Sequence, residues 1–131
     1  MNLNGIMLGT EDTKKLGEFY TKIFGKPAWD MDGWYGFAVG DGNLAIGPHS
    51  EVKGTNKEPG RIMLIITTDD VQGDFDRIKG LGAKVVSEPY KPEMANESEE
   101  DMGEMWLATF ADPDGNYFQL SSPWVGDGKD K

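Results

Sequence analysis

Few residues in this chain could perform chemistry, and their scarcity limits the kinds of site it can form. The 131 residues include one histidine, His49, and no cysteine. Zinc fingers, iron–sulfur clusters, thiol nucleophiles and disulfides are therefore excluded, as is a metal site built from several histidines of one chain. No histidine or lysine lies at a spacing from Ser121 and Ser122 that indicates a catalytic partner. A lone histidine between Pro48 and Ser50 is typical of a solvated turn, although a ligand role is also open.

The charge balance limits the classes of molecule that the chain is expected to bind. Thirteen Lys and Arg against 23 Asp and Glu give a formal net charge of −10. This acidic balance argues against nucleic acid and anionic membranes and favours a cationic or neutral ligand, although it is also typical of a surface that only maintains solubility. The N-terminus lacks signal-peptide features, and the longest apolar run, residues 62–66, is too short to span a membrane. We expect an acidic, cytoplasmic protein.

The elements that position these residues repeat along the chain. Gly5-Ile6-Met7-Leu8 returns 56 residues later as Arg61-Ile62-Met63-Leu64, and Asp41-Gly42-Asn43 returns 73 residues later as Asp114-Gly115-Asn116. The larger second shift indicates an insertion in the second copy, for which the best candidate is residues 91–104. Two copies are too few for a solenoid and predict two similar modules in a single domain over residues 1–124. The modules are expected at about 3–58 and 61–124, followed by a flexible tail over 125–131.

Both copies predict the same order of elements, β-α-β-β-β. Strands at 5–9 and 61–67 each precede an amphipathic helix, capped by Thr10 or Asp12 in the first copy and by Asp69 or Asp70 in the second. Gly25 and Gly82 end these helices as left-handed caps. Turns at 41–43 and 112–116 join the last two strands of each copy. The remaining strands are predicted at 28–30, 35–39, 44–47, 84–86, 105–110 and 117–121.

The insertion is rich in acids and poor in apolar residues, which is typical of a flexible surface loop. A second interpretation is a lid over a pocket. In that case Met94, Met102 and Met105 would supply adaptable apolar contacts, and the acids would favour a cationic ligand.

Two tandem β-α-β-β-β modules resemble the vicinal oxygen chelate superfamily, which includes glyoxalase I, the bleomycin-resistance proteins and the extradiol dioxygenases. Residues 19–25, Phe-Tyr-Thr-Lys-Ile-Phe-Gly, are similar to the end of that family's first helix, and residues 111–120 are similar to its final hairpin. The resemblance covers roughly residues 3–124. It implies an α+β fold in which both modules form a curved mixed sheet around a cavity, with helices on the outer face, and it implies a homodimer.

The resemblance also implies four metal positions. Carried over to this chain, they are Gly5 and Arg61 in the first strands, Gln119 in the last strand of module two, and either Ile46 or Gly47 in module one. None supplies the His or Glu of the metal-dependent members. A neutral amide is a poor anchor for a divalent ion, and an arginine repels it. We expect no metal and no cofactor. The family's glyoxalase and dioxygenase reactions need a metal ion as Lewis acid or oxygen activator, so we do not expect them here.

Metal-free members of the family include proteins that sequester antibiotics unaltered, which implies a small-molecule-binding protein. Arg61 could hold a ligand carboxylate or phosphate, or only pair with a nearby acid, and Gln119 could bind ligand or satisfy backbone groups. Strand alternation would turn Arg61, Met63 and Ile65 to the cavity and residues 62, 64 and 66 to a helix. The other ligand-binding candidates are Trp34, Tyr35, Trp106, Tyr117 and His49, with Met63 from the alternation.

The other aromatic residues are predicted to contribute to packing. Trp29 and Phe37 are predicted in the core, and Trp124 at a domain edge or dimer interface.

One alternative function is an enzyme of the same superfamily, a lyase, isomerase or dioxygenase-like protein, with an atypical or metal-free site. Another is a structural or regulatory module whose cavity is closed.

Overall fold

Both predicted copies of the repeat fold as β-α-β-β-β modules. The computed structural model describes residues 1–92 and 105–123. The chain divides into two compact units, Met1–Asn56 and Lys57–Lys131, and each contains one copy. Each copy forms its own four-stranded mixed sheet with one helix, so the predicted α+β class is confirmed. None of the helices in the described ranges has the length and apolar character needed to cross a membrane.

Module one forms a sheet with the strand order β1-β4-β3-β2, in which only β1 and β4 are parallel. Its helix packs against β1, β3 and β4. The buried residues of this layer include Leu16 and Tyr20 from the helix and Leu44 and Ile46 from β4. The elements are β1 (Gly5–Thr10), α1 (Thr13–Phe24), β2 (Trp29–Met31), β3 (Trp34–Val39) and β4 (Gly42–Pro48).

The two candidate caps of α1 act in series. Asp12 is the N-cap, since its carboxylate accepts a hydrogen bond from the Lys15 amide at 3.1 Å. The Thr10 hydroxyl oxygen accepts one from the Asp12 amide at 3.0 Å and so holds the cap in place. Gly25 ends the helix with a positive φ of +90°, as the sequence predicts, but its ψ of −170° differs from that of a left-handed helical cap.

Module two repeats this construction with the strand order β5-β8-β7-β6. Asp70 is its N-cap and accepts from the Gly73 amide at 2.9 Å, while Thr68 accepts from the Asp70 amide at 3.1 Å. Its core includes a stack of Phe75, Phe110 and Phe118, with neighbouring ring centroids 5.1 and 5.4 Å apart. The elements are β5 (Leu64–Thr67), α2 (Val71–Gly80), β6 (Lys84–Tyr90), β7 (Leu107–Ala111) and β8 (Tyr117–Ser121).

Several predicted boundaries are wrong, and the largest differences are in β5 and β6. β5 begins at Leu64 instead of residue 61, and its pairing with β8 begins at the pair of Leu64 and Phe118. Ile62 therefore lies before the strand and is 69% exposed, instead of packing on a helix. β6 continues through Pro89 to Tyr90, which an edge strand tolerates because the missing N–H need not face a neighbour.

The turns show smaller differences. β7 begins at Leu107, two residues later than predicted. The β3–β4 loop consists of Gly40 and Asp41, because Gly40 supplies the positive φ of +59°, and Gly42 already pairs within β4. An unpredicted hairpin turn joins β2 to β3 through Asp32 and Gly33, with φ of +53° and +81°, the conformation that a tight two-residue hairpin needs.

Some predictions fall outside the described residues, 1–92 and 105–123. These include residues 93–104 of the proposed lid over 91–104, with Met94 and Met102, the placement of Trp124, and the tail. Met105 is described and is 7% exposed, so it belongs to the buried apolar residues of module two.

Candidate functional site

One face of the module-one sheet points away from α1, and we call it the open face. Its side chains follow from strand alternation and from the register of the four strands. Trp29, Met31 and Met7 on this face are 43%, 60% and 44% exposed. From β2 towards β1, the residues form three cross-strand rows: Trp29, Gly36, Ala45 and Met7; Met31, Trp34, Gly47 and Gly9; and Ala38, Asn43 and Gly5.

Two tryptophan rings on the open face lie directly on glycines of the next strand. The ring of Trp29 covers Gly36, and the ring of Trp34 covers Gly47, so closely that a Cβ atom at either glycine would overlap the ring. Neither glycine has a positive φ. They are therefore required for the close approach of an aromatic ring and not for an unusual backbone conformation.

Beside these rings lies a trough of about 450 Å³. Trp29 borders it on the β2 side and Met7 on the β1 side, with Ala45 between them in the same row. Asn43 provides a polar end, where its amide nitrogen donates to the backbone oxygen of Asn4 at 3.0 Å. The described lining residues carry no ionisable side chain: Asn4, Gly5, Ile6, Met7, Ala28, Trp29, Gly36, Phe37, Asn43, Leu44 and Ala45.

The trough consists largely of residues that the sequence did not single out. All of the predicted ligand-binding residues are described, and none of them lines it. Trp34 lies in the neighbouring row of the open face, whereas Tyr35 points to the opposite face, against α1. Phe37 is core, as predicted, with 3% exposure, but Trp29 is not, since it is 43% exposed. Applying strand alternation to β1 would have turned Met7 towards the same face as Gly5 and revealed this surface.

His49 stabilises the turn that follows β4. Its Nδ1 atom accepts a hydrogen bond from the Glu51 amide at 3.1 Å, and its carbonyl accepts one from the Val52 amide at 3.1 Å. Its Cβ atom lies close to Gly9. The exposed turn that the sequence predicts is therefore present, and a ligand role for His49 stays a prediction.

The candidates of module two are distributed over its sheet and the segment before it. Arg61 lies before β5 in an exposed bend, where its guanidinium donates to the carboxylate of Glu58, so the predicted pairing with a nearby acid is present. Gln119 is half-buried in β8, in register with Ile65 and Thr109. Met63 is half-buried just before β5, and ligand binding by these residues stays a prediction.

Trp106 and Tyr117 lie at the two ends of the β7–β8 pair. The Nζ atom of Lys91 lies 5.5 Å from the centroid of the Trp106 ring, which is a cation–π distance. The ring therefore already contacts a cation of its own chain. Tyr117 is half-buried and pairs with Ala111 beside the turn.

Tyr35 occupies a distinct environment on the helix face. Gly17 allows its ring to approach α1, because a Cβ there would lie 2.6 Å from the ring, and the ring stacks on Phe37 with centroids 6.4 Å apart. Partial burial raises the pKa of the phenol above its ordinary value of 10.0, and the carboxylates of Asp30 and Glu18 raise it further by disfavouring the phenolate.

This shift predicts a loss of stability at alkaline pH. An unfolded tyrosine ionises at about pH 10, whereas folded Tyr35 keeps its proton to higher pH, so its contribution is complete below pH 10 and is lost as the pH rises through the folded pKa. Urea unfolding measured between pH 9 and pH 11 should show a shallower decline in Tyr35→Phe than in the original chain. Identical declines would contradict the assignment.

The metal positions implied by the family resemblance do not fit a metal ion in module one. Ile46 is fully buried on the helix face, so strand alternation leaves Gly47 as the position on the open face. A Cβ at Gly5 would overlap the backbone oxygen of Asn43, and one at Gly47 would overlap the Trp34 ring. Within residues 1–92 and 105–123, no three His, Asp or Glu side chains are close enough to share a metal ion. The residues at the two module-one positions therefore supply no ligand for a metal ion.

Comparison with known families and structures gives one consistent result. The family model described as a glyoxalase-like domain matches residues 5–121. No curated protein matches the chain significantly.

Solved structures match over nearly the whole chain. A glyoxalase/bleomycin resistance protein/dioxygenase family enzyme from Burkholderia phytofirmans PsJN is 18% identical, with a TM-score of 0.70, over 93% of this chain and 98% of that chain. A glyoxalase-related enzyme from Fulvimarina pelagi is 18% identical, with a TM-score of 0.71, over 94% and 88%. The fosfomycin resistance protein FosX from Listeria monocytogenes is 18% identical, with a TM-score of 0.67, over 94% and 93%. At these identities the likeness shows the fold.

Proposed function

Because this chain belongs to the glyoxalase-like domain family of the vicinal oxygen chelate superfamily, we propose that it binds a small organic molecule without the metal ion of the metal-dependent members. The observation that carries the proposal is the Trp34 ring lying on Gly47. At a position where those members hold a coordinating side chain, this chain has a glycine that is covered by an aromatic ring. The position thus supports an apolar surface in place of a Lewis acid.

The second metal position of module one supports the same conclusion more strongly. The atom that a side chain at Gly5 would meet is the backbone oxygen of Asn43, its partner residue in β4. A backbone atom in a strand pair cannot move aside as the end of a flexible side chain can. Restoring a ligand at this position would therefore require displacement of the β1–β4 pair as well as a change of residue.

The rest of the open face favours an organic ligand. Concave sites for small molecules are mostly apolar, with a few polar groups that fix orientation, and the trough beside Trp29 has this composition. The fosfomycin resistance protein FosX has the same fold, which supports a small molecule as the class of ligand without identifying it.

Metal analysis tests the proposal directly. Protein purified without chelator should contain far less than one equivalent of any divalent metal, and its melting temperature should not change on addition of EDTA or of Zn²⁺, Mn²⁺ or Ni²⁺, because a ligand that binds only the folded state must raise it. The His49→Ala variant, which lacks the single imidazole, should behave identically. Tightly held, stoichiometric metal whose removal lowers the melting temperature would overturn the proposal.

A binding protein and an enzyme differ in what becomes of the ligand. After prolonged incubation with excess protein, a ligand that raises the melting temperature should be recovered chemically unchanged. Conversion to a product would instead favour the enzymatic alternative.

A further inference from the structure

We propose that the trough on the open face of module one binds a flat, uncharged heteroaromatic molecule that carries a hydrogen-bond donor at its edge. This inference rests on the proposed function and adds the location of the site and the class of its ligand. Four features of the described residues determine that class: the exposed ring of Trp29, the small residues between the walls, the lack of ionisable lining groups, and the orientation of Asn43.

The walls determine the shape of the ligand. The Trp29 ring lies on Gly36 and is 43% exposed, so it offers an aromatic surface to a ligand. Met7, 44% exposed, borders the trough on the other side, and its thioether contacts aromatic rings favourably. Between them Ala45 contributes only a methyl group. A flat ring can stack on Trp29 and reach Met7 without meeting a bulky side chain.

The lining determines the charge of the ligand. A charged group buried in the trough would lose its hydration without gaining an opposite charge, because the lining residues in the described part of the chain include no Asp, Glu, Lys, Arg or His. The net charge of −10 further disfavours an anion. An uncharged ring meets neither cost.

Asn43 determines the polarity at the edge of the ligand. Its amide nitrogen donates to the backbone oxygen of Asn4, and this contact fixes the orientation of the side-chain amide. That bond uses one of the two Nδ2 hydrogens, so Asn43 retains its Oδ1 atom as an acceptor and one N–H as a donor. The proposal assigns Oδ1 to the ligand, which then presents an N–H or O–H group. The volume of about 450 Å³ is within the usual range for small-molecule sites and accommodates a substituted bicyclic ring.

Indole is a direct probe, because it is flat and uncharged and has one N–H donor. In titrations followed by NMR, it should shift the resonances of Met7, Ala45 and the Trp29 side chain saturably. 1-Methylindole, which lacks the donor, should bind about five- to tenfold more weakly, the usual effect of one hydrogen bond. Indole-3-acetate, which is anionic, should bind more weakly than indole.

Two variants and one control test the location. Trp29→Ala removes the stacking wall, and Ala45→Leu fills the space while leaving the walls in place, so both should reduce indole binding at least tenfold. Met31→Ala is the matched control, since Met31 lies on the same face but outside the trough and is 60% exposed. It should bind indole as the original chain does.

These experiments distinguish failure of the trough proposal from failure of the proposed function. If indole shifts resonances away from the trough, or binds both variants as it binds the original chain, the trough proposal is overturned while metal-free binding elsewhere remains. Equal binding of indole and 1-methylindole would overturn the donor requirement. Stoichiometric metal in the purified protein would overturn the proposed function, whatever indole does.

Discussion

The double variant Gly5→His and Gly47→Glu is expected to be less stable than the original chain by about 2–6 kcal/mol and to bind no metal. Each substitution adds a side chain where a Cβ would already overlap a neighbour, the backbone oxygen of Asn43 or the ring of Trp34. Overpacking of this kind costs about 1–3 kcal/mol per site, and the two glycines lie far enough apart along the sheet for the costs to add. Urea unfolding measures the loss, and calorimetric titration with Zn²⁺ and Mn²⁺ measures metal binding.

Gly42→Glu provides the matched control, because Gly42 lies in β4 with Gly47 but its Cβ position is 3.5 Å from the Val39 oxygen, an ordinary contact. This variant should lose less than about 1 kcal/mol, the usual range for a strand position without overlap. If the double variant were as stable as the control and bound metal tightly, then the glycines would only lack donors, and the argument from close approach would be wrong.

The second large effect is expected at Asp112, whose replacement with alanine should destabilise the protein by about 3–5 kcal/mol. The carboxylate is 4% exposed and organises the β7–β8 turn. Its Oδ1 atom accepts from the amides of Asp114 and Asn116 at 2.9 and 3.0 Å, and its Oδ2 atom accepts from Nδ2 of Asn116 at 3.0 Å. Hydrogen bonds to charged groups contribute about 1.5–3 kcal/mol each, and donors left unpaired add a penalty.

Asp114→Ala is the control within the same turn, because Asp114 gives the network its backbone amide, which alanine retains. Urea unfolding should place this variant within about 1 kcal/mol of the original chain, as is usual for side chains outside a buried network. Equal losses in the two variants would show that general turn propensity, and not the buried carboxylate, stabilises the hairpin.

Several features governed by local sequence were predicted, with Asp12 and Asp70 each among two candidate caps, whereas the turn before Gly42 was misplaced and the turn at Asp32 and Gly33 was not predicted. The helix caps at Asp12 and Asp70, the positive φ of Gly25 and the final turn around Asp112 depend on residues that are neighbours in the chain. The internal repeat then gave the element order and the family. The two modules share the same N-cap residue type and equivalent strand orders, because in each of them one helix packs against a four-stranded sheet.

Features governed by neighbouring strands were predicted less well. The start of β5 depends on which β8 residues can pair with it, and the exposure of Trp29 depends on the glycine at position 36 in the strand opposite. Neither the strand start nor the exposure can be deduced from the periodicity of residues along a single strand. The same limit applies to the site, since the residues that line the trough are brought together by the register of four strands, with β1 and β4 distant in sequence.

The strands at the β2 and β6 ends of the two sheets also bear on aggregation. A sheet edge with free backbone groups can pair with another chain, and long flat edges are the most hazardous. β2 has only three residues, while β6 contains Pro89 and two register shifts against β7. An incoming strand would find too few groups on β2, and on β6 an irregular ladder that lacks a donor at Pro89. These features make β2 and β6 poor templates for pairing with another chain.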